Sequence, residues 1–317
     1  MSEGTYRRWL ALYPSDFRAE YEEEMLAVLM SEGRPGPAQF FDLARAAVAV
    51  RLRQVTGSAR WRQAAWLTQT FGAILLLALA LRHLVTEVAV WDSQELFGPG
   101  LSVSDAVALP QLAILARVSG WAVVLIAALR GWRLLGLAGA VLGLGGQAVA
   151  PAQLYLETPA TVLNAYWQLM AAAVVLAAGV VAVRGGARTR GLVPLLAAAA
   201  ALVLQAVMLL RWFSWEIYNG LPWVALALAA VAAARQEPAM RPWLLTWAAP
   251  VLVTVPLVRT GFDGFIEHNI RHPEATRLLD GFQWTALVLV PLAAFLFMAL
   301  LTSRFERGRA ARAGGAA

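Results

Sequence analysis

The sequence predicts an all-α fold, a polytopic integral membrane helical bundle of about eight spans behind a small N-terminal helical module. Three observations predict it. Of the 317 residues 60% are hydrophobic and only 15% charged, with a mean hydropathy of +0.61; an average soluble domain is about 45–50% apolar and about 25% charged. Apolar runs of about 20 residues, the length that crosses a hydrocarbon core about 30 Å thick, recur along the chain. Arginines gather at alternate ends of those runs. A water-soluble enzyme of this size could not bury that much apolar surface, so that class is excluded. The net charge of +6 does not read as nucleic-acid binding either, because the arginines stand beside apolar runs and form no single patch. All 26 basic residues are Arg and there is no Cys, which removes disulfides, thiolate metal sites and Cys nucleophiles.

Taken in order, residues 1–63 read as a cytoplasmic module of three short helices, too charged for a signal peptide. The first carries Tyr6, Trp9, Leu10 and Tyr13 and stops at Pro14. Ser15 is placed to N-cap the second, and Asp16 suits the positive end of its dipole. Phe17, Tyr21, Met25 and Val28 form an apolar stripe at helical spacing that Gly33 ends. A turn at Arg34-Pro35-Gly36-Pro37 leads to a third amphipathic helix over about 38–54. The acids Glu20, Glu22, Glu23 and Glu24 form either a solvated face of the second helix or a docking face for a cytosolic partner.

Within this segment Tyr6-Arg7-Arg8-Trp9-Leu10-Ala11-Leu12-Tyr13-Pro14, then Phe17-Arg18, Tyr21, Glu23-Glu24-Met25 and Leu29, resemble an "LYP–FR–Y–EEM" helical module. That module heads many actinobacterial and acidobacterial membrane proteins, orphan MacB-type permeases among them, and similar modules occur in membrane proteins associated with PadR-type regulators. Glu22 stands where many members carry Gly. The resemblance covers about 25 residues and implies a cytoplasmic interaction or signalling module in a bacterial cytoplasmic membrane protein; residues 64–317 resemble no family.

Eight candidate spans follow, at 64–89, 107–129, 134–155, 160–183, 192–213, 217–234, 243–262 and 282–301, so that residues 64–303 form the bundle and 304–317 an Arg-rich cytoplasmic tail. With both termini inside, 20 of the 26 arginines fall on the inner side and ten of the 20 acids on the outer side, as positive-inside topology expects. Trp61, Trp66, Trp132, Trp243 and Trp247 fall near the inner face and Trp91, Trp212, Trp215, Trp223 and Trp284 near the outer one, at headgroup level. Trp121 lies deeper, where packing is expected. Gly139-x-x-x-Gly143 is a close-contact pattern for helix pairs.

No metalloprotease, serine-hydrolase, Walker or dinucleotide motif is present, so the chain carries no ATP-driven engine of its own and any such energy requires a partner ATPase. Polar residues at the outer ends of the spans supply the candidate sites. His83 with Glu87, and His268 with His272, are four apart, a spacing that puts imidazole and carboxylate on one helical face and allows zinc; two surface histidines in a polar loop have the same spacing. Arg82 and Glu87, Arg211 and Glu216, and Arg259 and Asp263 end the odd-numbered spans, and Glu157 ends the third, as interfacial ion pairs or as a degenerate repeat. Arg117 lies about 20 Å above the inner boundary at about 1.5 Å per residue, where it should face the bundle and meet an acid, with Glu157 or Glu87 the candidates. Three functions stay open: a regulatory or accessory component whose module docks a cytosolic regulator or an ABC-type ATPase or permease; a permease for a small anionic solute or lipid headgroup; and a metal-dependent membrane enzyme.

Overall fold

The computed structural model describes residues 3–31, 39–47, 50, 59–97, 109–182, 224, 227, 230, 231, 234–314. Among these the secondary structure is helical throughout, and six helices are long and apolar enough to cross a membrane. The fifth and sixth expected spans lie almost wholly outside the described residues. The chain divides into two compact units, Met1–Trp61 and Arg62–Ala317.

In the first unit, α1 spans Glu3–Leu10, α2 Ser15–Ser31 and α3 residues 39–47. Helix α1 ends a turn earlier than expected: Ala11 to Tyr13 close the chain through hydrogen bonds to Arg7, Trp9 and Leu10. The first bond of α2 runs from the Arg18 N–H to the Pro14 carbonyl, 2.9 Å. Pro14, not Ser15, is therefore the half-helical residue, a position where its missing N–H costs nothing. The buried face of α2 matches the expected stripe in part: Phe17 and Met25 pack against the core, while Tyr21 and Val28 do not. Leu26 and Leu29 are buried with Tyr6, Leu10, Tyr13, Leu43 and Ala47, whereas Val28 is 57% exposed and Tyr21 37%. The reason is aromatic: Tyr13 stacks on Phe17 at 5.1 Å and Phe17 on Tyr21 at 4.9 Å, so the rings climb along the edge of α2 and leave Leu26 and Leu29 to close the core.

Helix α4 spans Ala59–Phe97, all but its first three residues in the second unit, where α5 spans Leu109–Arg130, α6 Arg133–Leu154 and α7 Pro159–Val181. Helix α8 spans Arg241–Pro256 and runs into a π turn, Leu257–Gly261; α9 spans Asp263–Arg271 and α10 Gly281–Gly314. Helix α4 continues well beyond the expected end of the first span, and its apolar part is Ala59–Leu84.

Helix α4 is the central element: 72% of its most apolar stretch is buried against protein, against 22% for α10. Ile74, Leu76, Leu77 and Leu81 of α4 form one core with Trp121 and Val124 of α5, Ala140 of α6 and Val175 of α7. The contact is a close packing of helices, which small residues permit. Gly139 and Gly143 perform that role against α5. A Cβ on Gly139 would lie 2.9 Å from the Gly120 carbonyl oxygen, and one on Gly143 would lie 2.7 Å from the Trp121 ring, which is fully buried as its depth predicts. The turn between α5 and α6 passes through Gly131 at φ 73°, a left-handed conformation that glycine adopts freely.

The indoles divide. Trp132 and Trp284 are exposed, as headgroup-level residues should be, but Trp66, Trp243 and Trp247 are buried in protein. Trp66 donates to the Ala128 carbonyl at 2.9 Å and Trp243 to the Glu306 carboxylate at 2.9 Å, which ties the start of α8 to the end of α10. Thr246 and Thr302 share a buried hydrogen bond of 3.1 Å in the same place.

Candidate functional site

The polar side chains fall into three places. On α2, the acids are not an equivalent row. Arg7 reaches Glu3 at 2.9 Å, Glu23 at 3.3 Å and Glu22 at 3.8 Å, and its hydrogen bond to Glu3 followed by these charges holds its pKa above the usual value. A hydrogen bond to Glu20, and the charge of that carboxylate, push the Tyr21 hydroxyl up; burial does the same to Tyr13. Glu20, Glu24 and Val28 follow one another at helical four-residue spacing on the exposed side, opposite Leu26 and Leu29. In the "LYP–FR–Y–EEM" pattern Tyr13 is a core residue, Phe17 and Tyr21 follow it along α2 and Leu12 is exposed, while the acids divide between an exposed ion pair with Arg7 and the outward face.

Inside the bundle, Arg117 is 7% exposed, as its depth predicts. Of the two expected acids, Glu157 does not meet it and the side chain of Glu87 lies outside the described residues; the contact the described residues show is with His83. The Nη1 group donates to Nδ1 of His83 at 3.3 Å and Nε to the Ala113 carbonyl at 3.4 Å. Because guanidinium only donates, His83 Nδ1 accepts and the ring proton sits on Nε2. Glu157 is exposed on the α6–α7 turn, where its contacts are backbone ones. Glu87 lies on α4 with its side chain outside the described residues; Arg211 and Glu216 lie outside them altogether. Arg82 is half-buried on α4 beside His83. A second polar contact joins α6 to α7, where Gln147, buried, donates to Gln168 at 3.0 Å.

The third place is the end of the bundle formed by the α6–α7 turn, the π turn and α9. Leu163, Val258, Phe262 and Leu287 form a small core there. The Tyr166 hydroxyl donates to the Leu287 carbonyl at 3.3 Å, the Leu279 N–H donates to the Tyr155 hydroxyl at 2.8 Å, and the Arg277 N–H donates to the Asn269 side-chain oxygen at 2.7 Å. These ties fix a segment that hydropathy alone leaves as loop. Arg259 and Asp263 do not pair, because the π turn and the non-helical Phe262 (φ −120°, ψ 14°) between them break the four-residue register. Arg259 instead lines a cavity of about 350 Å³ with Asn164, Trp167, Val255 and Val258.

His268 and His272 do approach, with ring centroids 5.0 Å apart, but the helix ends at Arg271 and His272 has left it. His268 Nε2 donates to the Ala275 carbonyl at 3.3 Å, and His272 Nδ1 lies 3.5 Å from the Glu274 carboxylate. Both rings are occupied in closing the turn that Pro273 begins. Among the described residues no three metal-ligating side chains converge.

Sequence reasoning missed the π turn and the proline–threonine pairing beneath it. Thr246, Thr254 and Thr260 each donate to the carbonyl of the proline four residues before, Pro242, Pro250 and Pro256, at 2.9, 2.7 and 2.7 Å. The thrice-repeated P-x-x-x-T spacing in 242–260 was the available signal, since threonine back-bonding bends a helix that proline has already weakened.

No family model matches the chain, and no curated protein or solved structure is significantly similar to it.

Proposed function

We propose that the protein is a regulatory or accessory component of a bacterial cytoplasmic membrane, whose N-terminal module docks a cytosolic regulator or an ABC-type ATPase or permease. The observation that carries this reading is the outward face of α2. The module has its own core, yet Glu20, Glu24 and Val28 remain outside it together, with Val28 57% exposed. An acidic stripe beside an exposed aliphatic residue suits a partner surface that is basic at its rim and apolar at its centre. In this reading both termini are cytoplasmic and the bundle has eight spans, two of them within 192–234.

The test is co-purification of the intact protein in mild detergent beside a Glu20→Arg, Glu24→Arg double variant. An ATPase or regulator recovered with the wild-type chain and lost with the variant is the expected outcome; equal recovery with both removes the docking face. Topology is checked separately. The chain has no Cys, so single cysteines at Ala187 and Ala234 should both be shielded from a membrane-impermeant maleimide in intact cells and labelled after lysis.

A further inference from the structure

We propose that the cavity between α7 and the π turn after α8 binds a phosphate-bearing anion, either the headgroup phosphate of an anionic glycerophospholipid or free phosphate. Three observations meet there. The first is placement of charge. Arg259 lies two residues from the end of the apolar stretch Arg241–Gly261, and Asn164 stands in the second turn of α7. Both therefore sit where an apolar stretch ends, and a guanidinium there is a cation placed for anionic oxygens. The second is availability. Among the described residues Arg259 makes no ion pair and no side-chain hydrogen bond, and the acid four residues on, Asp263, has been carried out of register. The third is a built space. The cavity measures about 350 Å³ and is lined by one guanidinium, one carboxamide and one indole-bearing residue besides Val255 and Val258, within the range of about 300–1,000 Å³ typical of small-molecule pockets.

The chemistry follows from these donors. Guanidinium presents a planar fork that matches two phosphate oxygens, and an amide N–H and an indole N–H add neutral donors. No carboxylate lines the described wall to repel an anion. The π turn is the device that makes the site. Proline 256 lacks an N–H, the helix widens just after it, and the Thr260 hydroxyl bonds back to the Pro256 carbonyl. Val258, which lines the cavity and belongs to the small core, anchors the turn. The site asks nothing of the N-terminal module, so its failure and that of the docking reading are independent.

The full chain is purified in detergent and lipid retention is followed by native mass spectrometry against phosphatidylglycerol, with phosphatidylcholine as the reference lipid. In parallel, the melting temperature is followed against inorganic phosphate in phosphatidylcholine nanodiscs. Three variants are compared: Arg259→Gln, Asn164→Ala, and Arg241→Gln, which removes the same charge at the opposite end of α8. Phosphatidylglycerol retention reduced about tenfold by Arg259→Gln, less by Asn164→Ala and not by Arg241→Gln supports the site with a lipid phosphate. Equal lipid retention throughout, with a phosphate-dependent rise in melting temperature that Arg259→Gln abolishes, supports it with the free anion. Retention and melting that respond alike in wild type and Arg259→Gln overturn it. Should Arg259→Gln fail to fold, wild-type behaviour of Asn164→Ala in both arms overturns it as well.

Discussion

Helices α5 and α6 meet backbone against backbone, whereas α7 and the end of α8 meet across a cavity. The two contacts lie in the same bundle and are made by segments of similar hydropathy, so apolarity does not distinguish them. Side-chain size and main-chain donors do. Gly120, Gly139 and Gly143 let α5 and α6 close until a carbonyl of one helix lies where a Cβ of the other would stand. Pro250 and Pro256 interrupt α8, threonines back-bond to both proline carbonyls, and the widened turn that follows cannot lie flat on α7. For apolar helices in general, close association rests on what packing allows. One interface is thus a seam and the other a niche.

The largest expected effect comes from breaking the seam. Gly120→Ala places a methyl group on the backbone of Gly143 and the Gly139 carbonyl, and unfolding in mixed micelles should show a loss of about 3 kcal/mol, the upper part of the overpacking range. Gly143→Ala, which meets the Trp121 ring rather than backbone, should cost less because a ring can shift. Next is the tie that closes α8 on α10: Thr302→Val removes the bond to Thr246 and should cost about 1 kcal/mol in the same assay. Pro256→Ala sharpens the other half of the comparison. It gives back a main-chain donor, so stability should stay within about 1 kcal/mol of wild type, while Arg259 leaves the niche and phosphatidylglycerol retention falls toward that of Arg259→Gln. The smallest effect is expected at Gly145, where an added Cβ meets nothing within 4 Å. Gly145→Ala should be neutral or slightly stabilising through helix propensity, and a large loss there would show that glycine content, and not close approach, makes the seam.

The seam was legible and the niche was not, for a physical reason. Gly139-x-x-x-Gly143 is a local pattern with one mechanical meaning, and depth alone placed Trp121 and Arg117 in the interior. Arg117's contact with His83 was not legible, because the two lie 34 positions apart in the chain and on different helices. The Arg259–Asp263 pair failed for a related cause: four-residue spacing predicts contact only while the helix stays α, and Pro256 with its π turn ended that condition three residues before Arg259. Trp243 and Trp247 were assigned to the headgroup layer from their position along the span, but rotation about the helix axis, fixed by Glu306 and the neighbouring Thr302, turned them inward. In the module, the spacing of Phe17, Tyr21, Met25 and Val28 marked a helix correctly and Phe17 and Met25 do pack against the core, but it missed Leu26 and Leu29 and the exposure of Tyr21 and Val28.

Helix α8 carries a mechanical consequence. Prolines 250 and 256 leave the carbonyls of Thr246 and Leu252 without their usual amide donors, and each threonine hydroxyl loads a carbonyl that already serves the main chain. Such a helix is a jointed arm, stiff between joints and soft at them, while α5 and α6 move as one plank. Thermal motion in this arm should therefore concentrate at Pro250 and Pro256, between the clasp of Trp243 with Glu306 and the small core around Val258, and amide hydrogen exchange just after Pro250 should outpace exchange in α5 and α6.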